Sequence, residues 1–194
     1  AYFDNASSHP LSVHSANALR RYVDWLEHDV GEPWWPSWAA TRDEAQQLFA
    51  DLINADRGEI AFSRSTVEAE SNVLNGMGDF LHGGHVVTND LAYSAILCNY
   101  QTRQLDGLGV RVVRNRDWQI DLADMEQAID DDTKLVSIAL VSNVNGLVAD
   151  VRALSDMAHA RGALLYADIM QAAGGTPIDV RAMGIDIAAC STFK

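Results

Sequence analysis

Short apolar runs alternate with longer amphipathic stretches along most of the chain, and this alternation predicts strands that take turns with helices. The predicted strands cover 59–62, 85–88, 110–113, 134–141, 163–167 and 186–189. The predicted helices cover 12–29, 40–54, 66–80, 93–105 and 121–129, and a further helix that Asp150 caps ends at Gly162. The order is typical of α/β proteins, so we expect a mostly parallel sheet flanked by helices, with ligands bound beyond the carboxyl ends of its strands.

The first 40 residues depart from this alternation. Helix 12–29 carries one apolar face, and the segment 31–38 interrupts the helical pattern because its two prolines cannot continue a helix. The same segment holds three tryptophans, Trp34, Trp35 and Trp38. We expect this cluster to be buried against helix 40–54, or to lie at a subunit interface or a substrate entrance.

Composition and charge argue against several classes of partner. A chain of 194 residues, 48% of them hydrophobic, can form one domain around a single core. The net charge of −13 argues against nucleic acid as a partner, because phosphates need a basic surface. No apolar run approaches the roughly 20 residues that span a bilayer, so we expect no membrane partner. Cys98 and Cys190 lie far apart in apolar surroundings and no secretory signal is visible, which together predict reduced thiols and a cytoplasmic protein.

Polar residues follow the first predicted strands. Ser65 and Thr66 lead directly into a helix, whose free backbone N–H groups and positive dipole end suit a phosphate. Ser65 with Glu68 also fits an ordinary capping box, and the two interpretations are compatible. Tyr93 follows the next strand, where it can stack on a flat ring or serve as a core tyrosine.

The later strands also end in polar residues. Asn143 follows a buried strand and can hydrogen-bond a cofactor oxygen, although the neighbouring Asn-Gly pair indicates a turn. Asp168 ends an apolar strand, and such a carboxylate needs a partner, which can be a protonated pyridine, a backbone cap or an arginine. Lys194 follows the last strand through a Ser-Thr turn. This placement suits pyridoxal phosphate, since the lysine amine forms an imine with the cofactor aldehyde and the aspartate keeps the pyridine nitrogen protonated.

Other ligand classes have little support in the sequence. His82 and His85 are joined by no cysteine or carboxylate in a ligand spacing, so we expect no metal site. Neither a Gly-x-Gly-x-x-Gly motif nor a Walker-type loop occurs, so nucleotide binding has no local support.

Five segments, taken in order, resemble motifs of the class V aminotransferase family, which includes cysteine desulfurases, selenocysteine lyases, kynureninases and isopenicillin N epimerase-like proteins. Segments 2–10 (Tyr-Phe-Asp-Asn-Ala-Ser-Ser-His-Pro) and 64–69 (Arg-Ser-Thr-Val-Glu-Ala) resemble the family's Tyr-Leu-Asp-Asn-Ala-Ala-Thr-Thr-Pro start and its Arg-Gly-Thr-Thr-Glu-Ala phosphate loop. Segments 141–146 (Val-Ser-Asn-Val-Asn-Gly), 167–172 (Ala-Asp-Ile-Met-Gln-Ala) and 191–194 (Ser-Thr-Phe-Lys) resemble Val-Ser-Asn-Val-x-Gly, Val-Asp-Gly-Ala-Gln-Ala and Ser-Gly-His-Lys. The match extends along the whole chain.

The resemblance implies a role for each matching residue. Lys194 would form the Schiff base with pyridoxal 5′-phosphate and act as the catalytic acid and base. Asp168 would pair with the pyridine nitrogen, and Gln171 with the ring hydroxyl oxygen. Asn143 would contact the cofactor or the substrate, and Tyr93 would occupy the ring-stacking position. The phosphate would be held by Ser65, Thr66, Val67 (through its backbone alone) and Ser191.

The resemblance also implies an organisation. Residues 1–194 would be the cofactor-binding large domain, with an N-terminal arm over about residues 1–40 and with the small C-terminal domain absent from this chain. Family members usually form homodimers, so a homodimer acting on an amino acid or amine is implied. The reaction stays open among a C–S lyase, an epimerase and an aminotransferase. The alternative is a catalytically silent binding or regulatory protein of the same fold.

Three positions depart from the family motifs. Desulfurases usually carry histidine where this chain has Tyr93 and Phe193, and many relatives carry a hydroxyl residue where it has Val67. An aromatic residue other than histidine at the stacking position resembles the epimerase, kynureninase and C–S lyase branches. The departures are compatible with cofactor binding and favour these branches over the desulfurases.

Overall fold

The structure is a computed structural model that describes Asp4, residues 6–28, residues 35–192 and Lys194, and at residues 35–37 it describes the backbone alone. The sequence predictions for Trp34, for the side chain of Trp35 and for Phe193 therefore lie outside the described residues. The helices are α1 Val13–His28, α2 Trp35–Ile53, α3 Thr66–Gly76, α4 Gly78–Leu81, α5 Ser94–Arg103, α6 Leu122–Ala128, α7 Val151–His159 and α8 Val180–Met183. The strands are β1 His85–Asn89, β2 Gly109–Val113, β3 Thr133–Ala139, β4 Leu164–Asp168 and β5 Ile187–Ala189.

The five strands form one sheet in the order β2-β1-β3-β4-β5, and every neighbouring pair is parallel. The register aligns the carboxyl ends of the last three strands, with Ala139 opposite Asp168 and Asp168 opposite Ala189. Residues that follow these strands therefore meet at one edge of the sheet. The predicted parallel α/β fold is confirmed.

The sheet has two covered faces. On one face, which we call the α6–α7 face, α2, α6 and α7 pack on a large apolar core. On the other, which we call the α3–α5 face, α3, α4 and α5 pack on a second core. Successive residues of a strand point to opposite faces, so Leu165 lies in the first core and Tyr166 in the second.

Side-chain caps fix where the short helices begin. The carboxylate of Asp121 accepts a hydrogen bond from the N–H of Ala123 at the start of α6, and Asp150 accepts one from Ala153 at the start of α7. The helix that Asp150 caps ends at His159, and Gly162 takes a left-handed conformation in the turn that follows it.

The predicted strand at 59–62 is wrong. Residues Arg57–Glu59 form a short 3₁₀ helix in which Asp56 and Glu59 satisfy each other's backbone N–H groups. The following residues run extended and pair with none of the five strands that the described part of the chain contains. A capping box that ends at the first residue of the segment thus outweighed a short apolar run, which is a weak strand signal.

Two helix boundaries also differ from the prediction. The helix at 66–80 is divided at Met77, with Gly76 ending α3 and Gly78 beginning α4, because glycine favours helix ends over helix interiors. The helix at 40–54 begins earlier, at Trp35, because proline is tolerated in a first helical turn.

The N-terminal helix is largely exposed. α1 has no buried residue, and its apolar residues Leu19, Val23 and Leu26 all face solvent in the described chain. The ring of Tyr22 lies 5.7 Å from that of Trp38, which remains 46% exposed. Among the described residues, no helix combines the length and apolar character that a bilayer crossing demands.

Candidate functional site

All nine residues that the sequence places in a cofactor site line one cavity at the carboxyl ends of the strands. The cavity has a volume of about 170 Å³. Its lining contains Ser65, Thr66, Val67, Tyr93, Asn143, Asp168, Gln171, Ser191 and Lys194, together with Ala139, Val141 and Met170. Residues up to 129 positions apart in the sequence therefore share one site, because parallel strands end at a common edge.

The start of α3 combines a capping box with a free helix terminus. Ser65 caps the helix by accepting a hydrogen bond from the N–H of Glu68, at 3.1 Å. The Glu68 carboxylate accepts hydrogen bonds from the N–H of Arg64 and the hydroxyl of Ser63, and these two bonds hold its pKa below the usual range. The capping box orients the first turn of α3. The N–H groups of Thr66 and Val67 in this turn have no acceptor within the helix, because no helical carbonyl precedes them by one turn.

Two hydroxyl groups meet beside this helix terminus. Thr66 Oγ1 lies 3.0 Å from Ser191 Oγ, and thus joins the first turn of α3 to the segment that follows β5. The same place holds the sulfur of Met170, which accepts the N–H of Ser191 at 3.1 Å. Hydroxyls and helix N–H groups in one concave place are the donors that a phosphate requires.

Asp168 is a buried carboxylate at the end of β4. Its side chain accepts the N–H of Met170 at 2.9 Å, and the residue is 7% exposed. Burial raises the pKa of Asp168, while the Met170 N–H and the positive charge of Lys194 lower it. A buried carboxylate with one backbone donor fits a second, cationic donor well, and a protonated pyridine nitrogen is such a donor.

Lys194 lines the same cavity and interacts electrostatically with Asp168. It follows β5, whose Ala189 is paired with Asp168 across the sheet. The sheet register therefore determines the proximity of lysine and aspartate, which no sequence spacing could establish.

Tyr93, Asn143 and Gln171 form the outer wall of the cavity. Tyr93 is the N-cap residue of α5 and is 44% exposed. Asn143 follows Ser142, whose buried hydroxyl donates to the carbonyl of Leu91 at 2.8 Å and so ties the two loops together. Gln171 Nε2 donates to the carbonyl of Ala6 at 3.0 Å, which brings the N-terminal segment to the rim of the site.

Sequence reasoning missed Met170 as a lining residue. The residue lies two positions after Asp168, and its thioether contacts the hydroxyl of Thr66 as well as the Ser191 N–H. A methionine in an apolar run is usually a core residue, so only its distance from Asp168 in the sequence could have indicated this position.

The two histidines considered for a metal serve elsewhere. His85 is buried at the amino end of β1, where its Nε2 lies 2.8 Å from Thr133 Oγ1. Within the described ranges, no three histidine, cysteine or acidic side chains come together in a way that could hold a metal ion.

The donor set of the cavity fits pyridoxal phosphate. Helix N–H groups and hydroxyls suit its phosphate, the buried Asp168 suits its ring nitrogen, and Lys194 suits its aldehyde. A parallel sheet that presents these groups at its carboxyl edge defines a pyridoxal-phosphate-binding fold.

Comparison with known proteins identifies the family. The sequence model of the aminotransferase class-V family matches residues 2–194, so the chain belongs to that family. The enzymes of the family, including cysteine desulfurases, depend on pyridoxal 5′-phosphate. The family and the cofactor predicted from the sequence are confirmed.

Several relatives are cysteine desulfurases. The cysteine desulfurase IscS of Shewanella denitrificans is 31% identical over 202 residues, which cover 100% of this chain and 50% of that protein. The apo structure of the cysteine desulfurase from Thermococcus onnurineus NA1 is similar at a TM-score of 0.82 and 26% identity, over 100% of this chain and 50% of the other. The structure of SspA in complex with cysteine shares the fold at a TM-score of 0.84 and 23% identity, over 99% of this chain and 57% of the other.

The chain thus spans about half the length of the curated relatives it matches. The preference for non-desulfurase branches gains no support from these relatives, and it stays a prediction. The assignment of residues 1–194 to a large domain with an N-terminal arm also stays a prediction.

Proposed function

We propose that the protein containing this chain is a pyridoxal-phosphate-dependent enzyme that cleaves the C–S bond of a sulfur-containing amino acid. The observation that carries the proposal is the single cavity in which Asp168 and Lys194 interact beside the first turn of α3. The similarity to cysteine desulfurases over the whole chain supports the choice of reaction.

Asp168 and Lys194 perform the two central tasks. Pyridoxal phosphate, when bound, supplies an electron-accepting ring that stabilises negative charge at the substrate alpha carbon. Asp168 accepts a hydrogen bond from the ring nitrogen and thereby keeps a proton on that atom. Lys194 would hold the cofactor through Nζ until the substrate amine displaces it, and the freed Lys194 amine would then remove the alpha proton of the substrate and return a proton later in the reaction.

The start of α3 and the end of β5 hold the phosphate. The N–H groups of Thr66 and Val67 and the hydroxyls of Thr66 and Ser191 donate hydrogen bonds to it. Val67 contributes its backbone alone, so the number of hydroxyl donors is smaller than in relatives with threonine at this position. Ser65 contributes by fixing the helix start through its cap.

Tyr93, Asn143 and Gln171 position the ring and the substrate. Tyr93 offers an aromatic face at the mouth of the cavity, and Gln171 and Asn143 offer amides toward ring and substrate oxygens. Tyr93 stands where desulfurases carry histidine, and the proposal therefore assigns proton transfer to Lys194.

Two features of the whole protein accompany the proposal. The exposed apolar residues of α1 support a homodimer, as expected from the family resemblance. Cys98 and Cys190 are free thiols, which supports a location in the reducing cytoplasm.

The test uses the full-length protein purified with pyridoxal phosphate. We expect a visible absorbance band of the bound cofactor that Lys194→Ala abolishes, and release of sulfide when cysteine is added. Borohydride reduction followed by peptide mass spectrometry should place the cofactor on Lys194.

Lys134→Ala is a matched control, because Lys134 is the other lysine of the chain and lies over the ring of Phe80 at the far end of β3. A protein that binds no cofactor, or one whose band survives Lys194→Ala, would contradict the site. Cofactor binding with racemised amino acid or a 2-oxo acid as the product would contradict the C–S lyase reaction and favour an epimerase or an aminotransferase.

A further inference from the structure

One carboxylate in the core has no part in the mechanism above. Glu70 lies one helical turn after Thr66 in α3 and is 0% exposed. Its Oε1 accepts the hydroxyl of Tyr100 at 2.5 Å, and its Oε2 accepts the amide of Asn99 at 3.1 Å. Fully buried glutamates are rare in proteins unless they are paired, and this one is joined to two neutral groups.

These two hydrogen bonds join two helices whose first residues line the cofactor cavity. α3 begins with Thr66 and Val67, which face the phosphate position, whereas α5 begins after its N-cap residue Tyr93. Glu70 lies between the helices and bonds to two consecutive residues of α5. Its carboxyl group therefore fixes the position of one cavity wall relative to the other.

Glu70 also lies close enough to Asp168 for their charges to interact. The pKa of Glu70 is raised to about 7, and burial is the main cause. The bonds from Tyr100 and Asn99 oppose the rise, and the negative charge of Asp168 adds a smaller contribution in the same direction as burial. Tyr166 stands on the same side of β4 as Asp168 and interacts with both carboxylates. Among the described residues, no partner accepts or donates a hydrogen bond at the buried Tyr166 hydroxyl.

We propose that Glu70 is a positioning residue of the cofactor site, which fixes α5 against α3 and places a second carboxyl group near Asp168. The inference rests on the proposed function, since it assigns Glu70 to the same site. The groups that face this carboxyl are Asn99 and Tyr100 from α5, with Ser137 of β3 bonded to Tyr100, and Tyr166 and Asp168 from β4.

The arrangement makes Glu70 and Asp168 a coupled pair. Below about pH 7 Glu70 is neutral. As the pH rises through that value, Glu70 loses its proton and adds a negative charge near Asp168. That charge strengthens the hold on a proton at the atom that Asp168 faces, which in the loaded protein is the ring nitrogen.

Infrared difference spectroscopy of the cofactor-free full-length protein tests the coupling directly. Titration from about pH 5 to about pH 9 should show the C=O stretch of a buried carboxylic acid disappearing with a midpoint near 7. Glu70→Gln should abolish this signal, and Glu126→Gln, which removes an exposed carboxylate from α6, should leave it unchanged. Asp168→Asn should keep the signal and lower its midpoint, because the repelling charge is gone.

The outcomes separate this inference from the proposed function. A signal that persists in Glu70→Gln, or a midpoint that does not move in Asp168→Asn, overturns the proposal even if the enzyme binds its cofactor. If Glu70→Gln does not fold, the midpoint in Asp168→Asn alone decides. Failure to bind pyridoxal phosphate contradicts the proposed function, yet leaves the titration in the cofactor-free protein as a valid test.

The loaded protein supplies a second readout. Its cofactor absorbance should change with pH around the Glu70 midpoint, and Glu70→Gln should remove that change while the protein still binds the cofactor. A residue with a purely structural role would alter stability or affinity and leave the pH profile in place. An unchanged profile in Glu70→Gln would therefore overturn the assignment.

Discussion

The two faces of the sheet are built from the same strands and differ in what they bury. On the α6–α7 face, Val136, Ile138 and Leu165 belong to the larger apolar cluster, and among the described residues few polar side chains are buried on this face, such as Ser155 of α7. On the α3–α5 face, the alternate positions include Ser137, Tyr166 and Asp168, all nearly or fully buried. Buried polar groups cost free energy unless they are bonded, so a sheet face that accumulates them indicates a purpose other than stability.

The difference grows toward the carboxyl ends of the strands. On the α3–α5 face, Val86 is followed by Thr88 and Leu135 by Ser137, so apolar residues give way to polar ones as the cavity is approached. Within the described residues, the two buried side-chain oxygens without a partner, Thr88 Oγ1 and Tyr166 Oη, belong to this face as well. One face therefore serves mainly for folding, and the other combines folding with the site.

We expect the largest difference between the two faces from substitutions at two consecutive residues, Asp168 at the end of β4 and Ile169 directly after it. Asp168→Asn should lower kcat by about 10²–10³-fold, because a neutral amide no longer stabilises the charge on the ring nitrogen. Ile169→Val, on the opposite face, should leave kcat within about twofold and cost about 1 kcal/mol of stability. Steady-state kinetics and urea denaturation measure the two quantities, and equal kinetic losses in both variants would refute the division between the faces.

A truncation in the apolar core should lower stability and leave the cofactor site unchanged. Leu165→Ala should lower the free energy of unfolding by about 2–5 kcal/mol, since the fully buried side chain leaves a cavity in the α6–α7 face. The cofactor spectrum of the folded variant should match that of the wild type. Urea denaturation followed by circular dichroism checks the first statement, and a shifted cofactor band would contradict the second.

Much of this arrangement could be predicted from the sequence. The carboxyl ends of parallel strands converge, so polar residues after successive apolar runs could be assigned to one cavity, as happened for Asp168 and Ser191. The order of the motifs indicated the family, and the hydrophobic periodicity predicted the positions of most helices. The pattern wrongly predicted a strand at 59–62, where the structure has a short 3₁₀ helix at Arg57–Glu59 that the Asp56–Glu59 capping box stabilises.

Glu70 shows why the rest of the site escaped prediction. It stands two positions after a glutamate and beside a serine, so the sequence around it is typical of a solvent-facing helix surface. Its burial arises from contact with Asn99 and Tyr100, which are 29 and 30 residues away. Long-range packing of that kind leaves no mark in the hydrophobic period, and the same is true of the contact between Met170 and Ser191.

The raised pKa of Glu70 predicts how stability depends on pH. The folded protein keeps the proton on Glu70 up to about pH 7, whereas the unfolded chain loses it near its ordinary value of 4.5. Between these values the folded state binds more protons, so the free energy of unfolding falls as the pH rises, by about 3 kcal/mol over the window. Glu70→Gln should flatten this part of the profile.

Chemical denaturation at several pH values between about 4 and 8 measures the profile. Glu126→Gln is again the matched control, since it removes an exposed carboxylate and should leave the slope unchanged. A slope that is the same in wild type and Glu70→Gln would show that another group titrates in this window.

The smallest effect compares two tyrosines of the α3–α5 face that differ in a single respect. Both are fully buried, but Tyr100 donates its hydroxyl to Glu70, whereas the Tyr166 hydroxyl has no partner among the described residues. Tyr100→Phe should lower the free energy of unfolding by about 1–3 kcal/mol, because it leaves a carboxylate oxygen without its donor. Tyr166→Phe should change the free energy of unfolding by less than about 1 kcal/mol and can even raise it, because no hydrogen bond is lost and a buried polar atom is removed.

Urea denaturation of both variants at pH values below and above the Glu70 midpoint measures the two losses of stability. The difference between these losses should be larger above the midpoint, where Glu70 is charged and depends most on its hydrogen-bond donor. Equal losses in the two variants would mean that Tyr166 is bonded, and would remove one of the distinctions between the two faces.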